Sequence, residues 1–541
     1  MNPISLLLIP GARPSVLLPL PLPLRTSASA PNSARAACAA RLAPTRRQRA
    51  RLSPPVSAVA AETLSGVEDS EGRFDWLDQW YPFAPVCDLD PGAPHGKTVL
   101  GLHVVAWYDR AVDDWRVFDD ACPHRLAPLS EGRIDGKGHL QCVYLYHGWC
   151  FDGRGSCQFI PQAPALGPPV HKNSKACVAS YPSVVQNSVL WFYPRAEAEH
   201  RDVLRRKRPP FFPQIDDPSY DTLIRDTPYG YDVLVENLLD PAHLAYAHKG
   251  LMREPPANAP DVLVTGKLRS KEDPGRVEFD VEGGQPVKMK IEEASVDGFL
   301  SPQENGGYYR YTAPFIICIS SLPGEAEGEG KEKKKPQFTQ VFMCIPVSPG
   351  RSRLITSYPR SAGVWLDKII PRWYHHIGVN AVLDSDTYLL HVEERNLAAA
   401  GAENWHKAVY VPTSSDGMVV AFRNWFRKHC QNQIGWAAPA VDQLPATPTK
   451  DKLMERYWSH VAQCRSCSAA LKAMKVLEEA LQVTAVAVVV FLSVAKGTLA
   501  MTVVGKTAAV SLAMLCFAAS RWLASFIEKN FYFQDYIHAY K

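Results

Sequence analysis

The chain is 541 residues long, with 46% hydrophobic and 21% charged residues and a formal net charge of +4. That length exceeds a single hydrophobic core and suits three or four units, while the composition excludes both a wholly disordered chain and a multi-span membrane protein. The basic excess sits in residues 1–61, which hold eight Arg and no Lys, Asp or Glu; the remainder carries 51 basic against 55 acidic residues, so no nucleic-acid partner is expected.

Residues 1–61 are rich in Pro, Ala, Ser and Arg. Pro10, Pro14, Pro19, Pro21 and Pro23 break the apolar run from Leu6 to Leu24, so no continuous helix forms there. Acid-free until Glu62, the segment has the composition of a chloroplast transit peptide. From Phe74 to about Val184, aromatic and β-branched residues interspersed with Gly and Pro predict short strands and tight turns. Residues 185–460 mix strand-like runs such as Phe338–Ile345 with helical runs such as Leu366–Leu390, which predicts an α+β region. The run GEAEGEGKEKKK between Pro323 and Gln337 has one Ala to bury and is expected to be a solvated loop.

A helical stretch is expected from Asp451 to Leu481. Beyond it, Ala480 to Ser520 contains only two charges, Lys496 and Lys506. Two spans of ~20 residues fit that stretch, turning near Gly497–Gly505, so a membrane hairpin is predicted over 480–524 with 525–541 as a tail. A buried helical pair in a soluble core is the competing reading.

The thirteen Cys are odd in number and scattered, and some stand in Cys-x-His and Cys-x-x-Cys patterns. Metal or redox chemistry in a reducing compartment is therefore expected in place of a secreted disulfide framework. Cys122-Pro-His124 is followed by Cys142 and by His147-Gly-Trp149. Two loops that each offer one Cys and one His make the ligand set of a Rieske [2Fe–2S] centre, in which imidazole raises the potential above that of an all-Cys cluster. Zinc competes for any Cys2His2 set, but a Cys-x-His step in a loop-rich β region is unlike a zinc finger. The second loop reads Cys142-Val-Tyr-Leu-Tyr-His147, two residues longer than the usual Cys-x-x-His, so the reach of His147 decides whether the cluster assembles.

Downstream, Glu236-Asn237-Leu-Leu-Asp240-Pro-Ala-His243 leads to His248. Two His and one carboxylate on one face are what a non-haem Fe(II) oxygenase site needs, with open positions left for O2 and substrate. A distant Asp must supply the third ligand, and Asp384 and Asp386 are both candidates. Taken singly, each His is as well explained as a packed or surface residue; their joint spacing beside the first motif favours iron.

Together these motifs, with segments such as CPHRLAPLSEGRID, YGYDVLVENLLDPAHLAYAHKGLM and DSDTYLLHVEER, resemble the Rieske non-haem iron oxygenases. The resemblance is to the plant chloroplast branch that includes pheophorbide a oxygenase, chlorophyllide a oxygenase and the Rieske and protochlorophyllide-dependent components of the inner-envelope translocon, and it covers roughly residues 74–541. It implies an α+β fold class: an all-β Rieske [2Fe–2S] domain (74–184), then a catalytic domain of antiparallel sheet plus helices (185–460), a CxxC-containing helix (461–479) and a C-terminal transmembrane helical hairpin. Cys122, His124, Cys142 and His147 match the cluster ligands. His243, His248 and Asp386 match the ligands of a mononuclear Fe(II), with Asp384 the fallback. Asp240 matches the residue that links a cluster His of one subunit to an iron His of its neighbour in a trimeric ring, and Asn237 lies behind the iron ligands.

The implied activity is a monooxygenase that uses O2 and electrons from ferredoxin on a chlorophyll-type tetrapyrrole, at a chloroplast membrane, the inner envelope before the thylakoid. The alternative is a non-catalytic redox sensor of the import machinery. Cys464 and Cys467, three apart, can form a reversible disulfide and resemble a motif proposed as a thioredoxin target; a half zinc site and inert thiols are the alternatives.

Overall fold

The computed structural model describes residues 72–142, 147–217, 219–248, 251, 288–303, 306–321, 338–360, 369–438, 444–494 and 502–536. The expected transit segment, the charged loop and most of the turn between the apolar helices lie outside these residues, as do Val143–Tyr146 of the lengthened Rieske loop.

The N-terminal region is all β. Strands β1 (Tyr81–Pro85), β10 (Ser183–Gln186) and β11 (Val189–Phe192) form one antiparallel sheet in the order β1-β11-β10, so pairing continues past residue 184. A second sheet runs β2-β3-β4-β9, from β2 (His95–Val99), β3 (Leu102–Asp109), β4 (Asp114–Asp119) and β9 (Ser180–Tyr181). The small third sheet, β5 (Arg133–Ile134), β6 (Leu140–Gln141), β7 (Cys150–Phe151) and β8 (Cys157–Phe159), carries the two candidate cluster loops. Strand alternation divides the packing: Val104 and Ala106 of β3 join the large core shared with the downstream domain, whereas Val105 and Trp107 join a separate core with Cys122, Cys142, Leu140 and Phe151. The cluster loops therefore stand on their own hydrophobic base.

The second domain is built on a seven-stranded antiparallel sheet in the order β12-β18-β17-β16-β15-β14-β13. Its strands are β12 (Tyr220–Thr227), β13 (Glu292–Ser295), β14 (Gly298–Pro302), β15 (Tyr308–Thr312), β16 (Ile316–Ser321), β17 (Phe338–Ser348) and β18 (Arg351–Pro359). Two helices, α1 (Tyr231–Leu239) and, farther along the chain, Gly417–Cys430, pack on it through Tyr231, Tyr311, Phe422, Trp425 and Phe426 in edge-on and stacked ring contacts. The short helix α2 (Leu244–Ala247) follows α1, and the long helix α3 (Arg372–Ala400) comes after the sheet. Pro371 precedes α3, a position where its missing N–H costs nothing, and the helix continues ten residues past the stretch expected from sequence. Gly417–Cys430 is α4.

The buried face of α3 is polar. His376, Asn380, Asp384, Thr387, His391 and Glu394 recur at helical spacing, and all are buried. Each of these except Thr387 faces a partner on another element, so the helix is fixed by hydrogen bonds and ion pairs more than by an apolar stripe.

Two long helices, α5 (Arg465–Val494) and α6 (Val503–Ile527), end the fold; both are long and apolar enough to cross a membrane. Val483, Val486, Val490, Phe491, Leu515, Phe517 and Trp522 are exposed on them, a surface unsuited to water. The Cys-x-x-Cys motif belongs to the start of α5 and is continuous with this apolar helix. Upstream, the stretch expected to be helical from Asp451 holds only short turns, because its backbone pairs elsewhere: Arg456 N–H donates to Tyr532 O (2.7 Å), and Glu455 bridges Phe533.

Candidate metal centres

In the first loop Cys122 N–H donates to Ala127 O and Leu126 N–H to Cys122 O, both at 2.8 Å, closing a tight turn in which Leu126 takes φ 60°. A left-handed Leu is uncommon and persists only where the surroundings fix it. In the second loop Cys142 N–H donates to Trp149 O (2.8 Å), and Gly148 at φ 67° lets the chain reverse directly after His147. The two imidazoles meet edge to face, with ring centroids of His124 and His147 4.1 Å apart, and Trp149 stacks on His124 at 4.9 Å. Both sulfurs are buried. A hydrogen bond from Cys142 holds the Cys122 thiol below its usual range, and the backbone N–H groups of His124 and Arg125 add to this against the opposing cost of burial.

The structure thus pairs the His124 and His147 rings and links the Cys122 and Cys142 side chains despite the two additional residues. His124 Nδ1 is buried without a hydrogen-bond partner among the described residues, which fits a nitrogen awaiting a metal.

The second centre gathers His243, His248 and Asp386, whose ligand atoms lie within 4.8 Å of one another. Helix α1 ends at Asp240, where Pro241 follows, and the short α2 separates the two His residues. His243 Nδ1–H donates to Asp240 O at 2.6 Å, with the Asp240 carboxylate 3.6 Å away, so Nε2 is left for a ligand. His248 Nδ1–H donates to Ser385 Oγ at 2.8 Å, because that hydroxyl spends its own proton on Val382 O (2.6 Å); His248 Nε2 then faces Asp386 Oδ2 at 3.4 Å. Both tautomers are set by the outer ring, as in well-formed metal sites.

Burial pushes the Asp386 carboxyl up to about 7, with His243 pulling down and Asp240 pushing up. A carboxylate this poorly compensated fits a bound cation. Burial works against protonation of His243, but Asp240 and Asp386 outweigh it and raise its pKa.

Asp384 points elsewhere. It is clamped between Arg225 of β12 and Arg456, all three buried, and Arg225 also donates to the backbone and side-chain oxygens of Asn380. Of the two carboxylates that the sequence left open, Asp386 is the one at the histidines. Asn237 is half-buried in the last turn of α1, where its carbonyl accepts from Asp240 N–H (3.2 Å). Cys464 and Cys467 are buried at 0% and 3% exposure beside His376 and His460.

Several residues of these centres escaped the sequence reading. Ser385 stood between the two Asp candidates and gave no signal of its own. Glu394, whose Oε1 accepts from Gly230 N–H (2.8 Å) at the start of α1, and the imidazoles of His376 and His460 come from segments far apart in the chain.

A model of the Rieske [2Fe-2S] domain matches residues 79–182, and a model of pheophorbide a oxygenase matches residues 312–404. The chain is 46% identical to protochlorophyllide-dependent translocon component 52 of Arabidopsis thaliana, covering 87% of each chain. It is 42% identical to flavonoid 8-hydroxylase 2 of Ocimum basilicum, covering 91% of each, and 33% identical to pheophorbide a oxygenase of Arabidopsis thaliana, covering 88% of this chain and 87% of that one. With that similarity along most of its length, and with a matching Rieske domain, the chain belongs to the Rieske non-haem iron oxygenase family, in its chloroplast branch.

Proposed function

We propose that the chain is a membrane-anchored monooxygenase of the chloroplast that hydroxylates a chlorophyll-type tetrapyrrole with electrons from ferredoxin. The family's cofactors are a [2Fe–2S] cluster and a mononuclear iron, which supply single-electron transfer and O2 activation when bound. Cys122, His124, Cys142 and His147 would hold the first, and His243, His248 and Asp386 the second.

The observation that carries the reading is the gathered triad with its outer ring. Asp240 and Ser385 fix which nitrogen each imidazole presents, which a redox sensor without oxygen chemistry has no need of. Asp240 caps α1 with its side chain 28% exposed and its carbonyl orienting His243, and in this reading that carboxylate would accept a hydrogen bond from a cluster imidazole of a neighbouring copy. A ring of subunits is therefore part of the proposal. The apolar outer faces of α5 and α6 suit a bilayer, which is also where a greasy pigment partitions.

A flavonoid is the second substrate class, favoured by the 42% identity to a flavonoid 8-hydroxylase. The test is to load the chain from about residue 62 with iron, add reduced ferredoxin and 18O2, and present protochlorophyllide, chlorophyllide a, pheophorbide a and a flavone. One labelled oxygen in a tetrapyrrole is the expected result. Label only in the flavone replaces the substrate, and no label anywhere with both iron centres filled returns the chain to the sensor reading.

A further inference from the structure

A second set of four donors lies outside both iron centres. His376 in the second turn of α3, His460, Cys464 and Cys467 are all buried, at 0 to 3% exposure, and their donor atoms lie within 4.8 Å of one another. Cys464 Sγ is 3.5 Å and Cys467 Sγ 3.4 Å from His376 Nδ1, and Cys467 Sγ is 3.3 Å from His460 Nε2. Zinc with Zn–S of about 2.3 Å and Zn–N of about 2.0–2.1 Å in a tetrahedron requires S···N separations of about 3.5 Å. Three of the sulfur–nitrogen edges thus match such a tetrahedron, and all four donor atoms lie close enough to share one ion.

The surroundings complete the pattern. His460 Nδ1–H donates to Ile224 O at 2.7 Å, which turns the Nε2 lone pair inwards. On the far side of His376, Nε2 faces Asp221 Oδ1 at 3.8 Å, and that carboxylate is held by Arg372 Nε at 2.9 Å. The carbonyl behind His460 is the kind of outer contact that orients a metal-bound histidine, while Asp221 stands behind His376 without a hydrogen bond to it. Without a metal, His376 Nδ1 has only the two sulfurs as partners in this buried cluster. Burial also argues against thiol exchange, because an attacking thiolate of a second protein cannot reach either sulfur while the site is closed.

We propose that His376, His460, Cys464 and Cys467 bind one structural Zn2+, with both thiols losing their protons to solvent as the metal binds. Four protein donors leave no open position, so the site is structural and not catalytic. Its ligands come from α3, the turn before α5 and the first residues of α5, so the ion staples the apolar anchor to the helix that carries Asp386. That carboxylate lies ten residues farther along α3, about 15 Å at the helical rise.

The test uses the chain from about residue 62, with its apolar helices, purified in detergent from cells supplied with zinc and iron. Elemental analysis should find about one zinc per chain in addition to iron, and zinc-edge X-ray absorption should give two sulfurs at about 2.3 Å and two nitrogens at about 2.0–2.1 Å. Because the Rieske motif is also Cys2His2, two variants separate the sites. The zinc with its sulfur shell should persist in Cys122→Ser and vanish in Cys464→Ser/Cys467→Ser, which should keep the visible absorption of the [2Fe–2S] cluster. If the double variant does not fold, the Cys122→Ser zinc spectrum decides alone. Zinc that is lost with Cys122→Ser, a shell without sulfur, or a Cys464–Cys467 disulfide in zinc-free folded protein overturns the proposal.

Discussion

Ser385 should matter to iron binding at the proposed site although it offers a metal no ligand. Its hydroxyl receives the His248 Nδ1 proton and hands its own to Val382 O, so one residue sets the tautomer of a ligand and leaves no buried donor unpaired. Ser385→Ala should weaken iron binding by about 10- to 100-fold, the usual cost of losing such a contact. Iron titration followed by elemental analysis checks this, and the cluster absorption should not change; undiminished iron affinity would mean the ring is held by packing alone. A second residue makes a pH signature. Glu394 is buried, its carboxyl pushed up to about 7 by burial and then by Asp232, with the Gly230 N–H pulling the other way. Between its ordinary value near 4.5 and about 7 the folded chain keeps a proton that the unfolded chain has lost. Stability from this group is therefore greatest below pH 4.5 and falls as pH rises to about 7, by on the order of 1–3 kcal/mol. Glu394→Gln keeps an acceptor for Gly230 and removes the titration, so its melting temperature relative to the parent should climb from pH 5 to pH 7.5. A difference that stays flat with pH would show that Glu394 titrates normally.

At the scale of elements, helix α3 explains what sequence conveyed and what it withheld. The candidate iron motif stood out because its residues are few, chemically distinctive and mostly local: Asn237, Asp240, His243 and His248 fall within twelve residues, and only Asp386 is distant. The cluster motif was legible for the same reason, and the β-rich texture around it matched the strands that form. The choice between Asp384 and Asp386 was not, because it depends on Arg225 and Arg456, which lie more than seventy residues away on either side. Nor could the buried face of α3 be recognised by an apolar stripe, since its helical repeat is written in His, Asn, Asp and Glu. This network gives a sharp expectation. Asp384→Ala leaves two guanidinium groups buried without their shared carboxylate, which should cost about 3–5 kcal/mol. Asp386→Ala should instead abolish iron binding with a smaller loss of stability, since it relieves a carboxylate that burial already disfavours. Denaturant titration and iron content, measured on both variants, separate the two roles; equal destabilisation would contradict the division.

Across the described residues, the apolar helices return the chain's end to the domain built on the seven-stranded sheet. After α6 the chain passes Arg456, whose guanidinium donates to Asn530 O (2.7 Å) and to the Asp384 carboxylate. The Phe533 bridge to Glu455 follows, and Tyr536 then donates its hydroxyl to Ala247 O at 3.2 Å, one residue before His248. The first core-facing residues of α5, Cys467, Ala470 and Leu471, pack with Leu523, Ile527 and Phe531 on the way back. Sequence composition marks these helices as spans but carries no trace of the return, because the contacts are backbone carbonyls and single side chains from a short tail. A tether and a built-in part of the active domain make different predictions on truncation. Ending the chain after Glu528 preserves both helices and both sets of candidate iron ligands, but it removes the Lys529 and Asn530 carbonyls that accept from Arg456 and the hydroxyl that donates to Ala247 O. The cluster, resting on its separate core, should keep its visible absorption, whereas the mononuclear iron should fall well below one per chain and turnover should fall with it. Truncated protein that retains full iron and full turnover would make the tail a mere extension of the anchor.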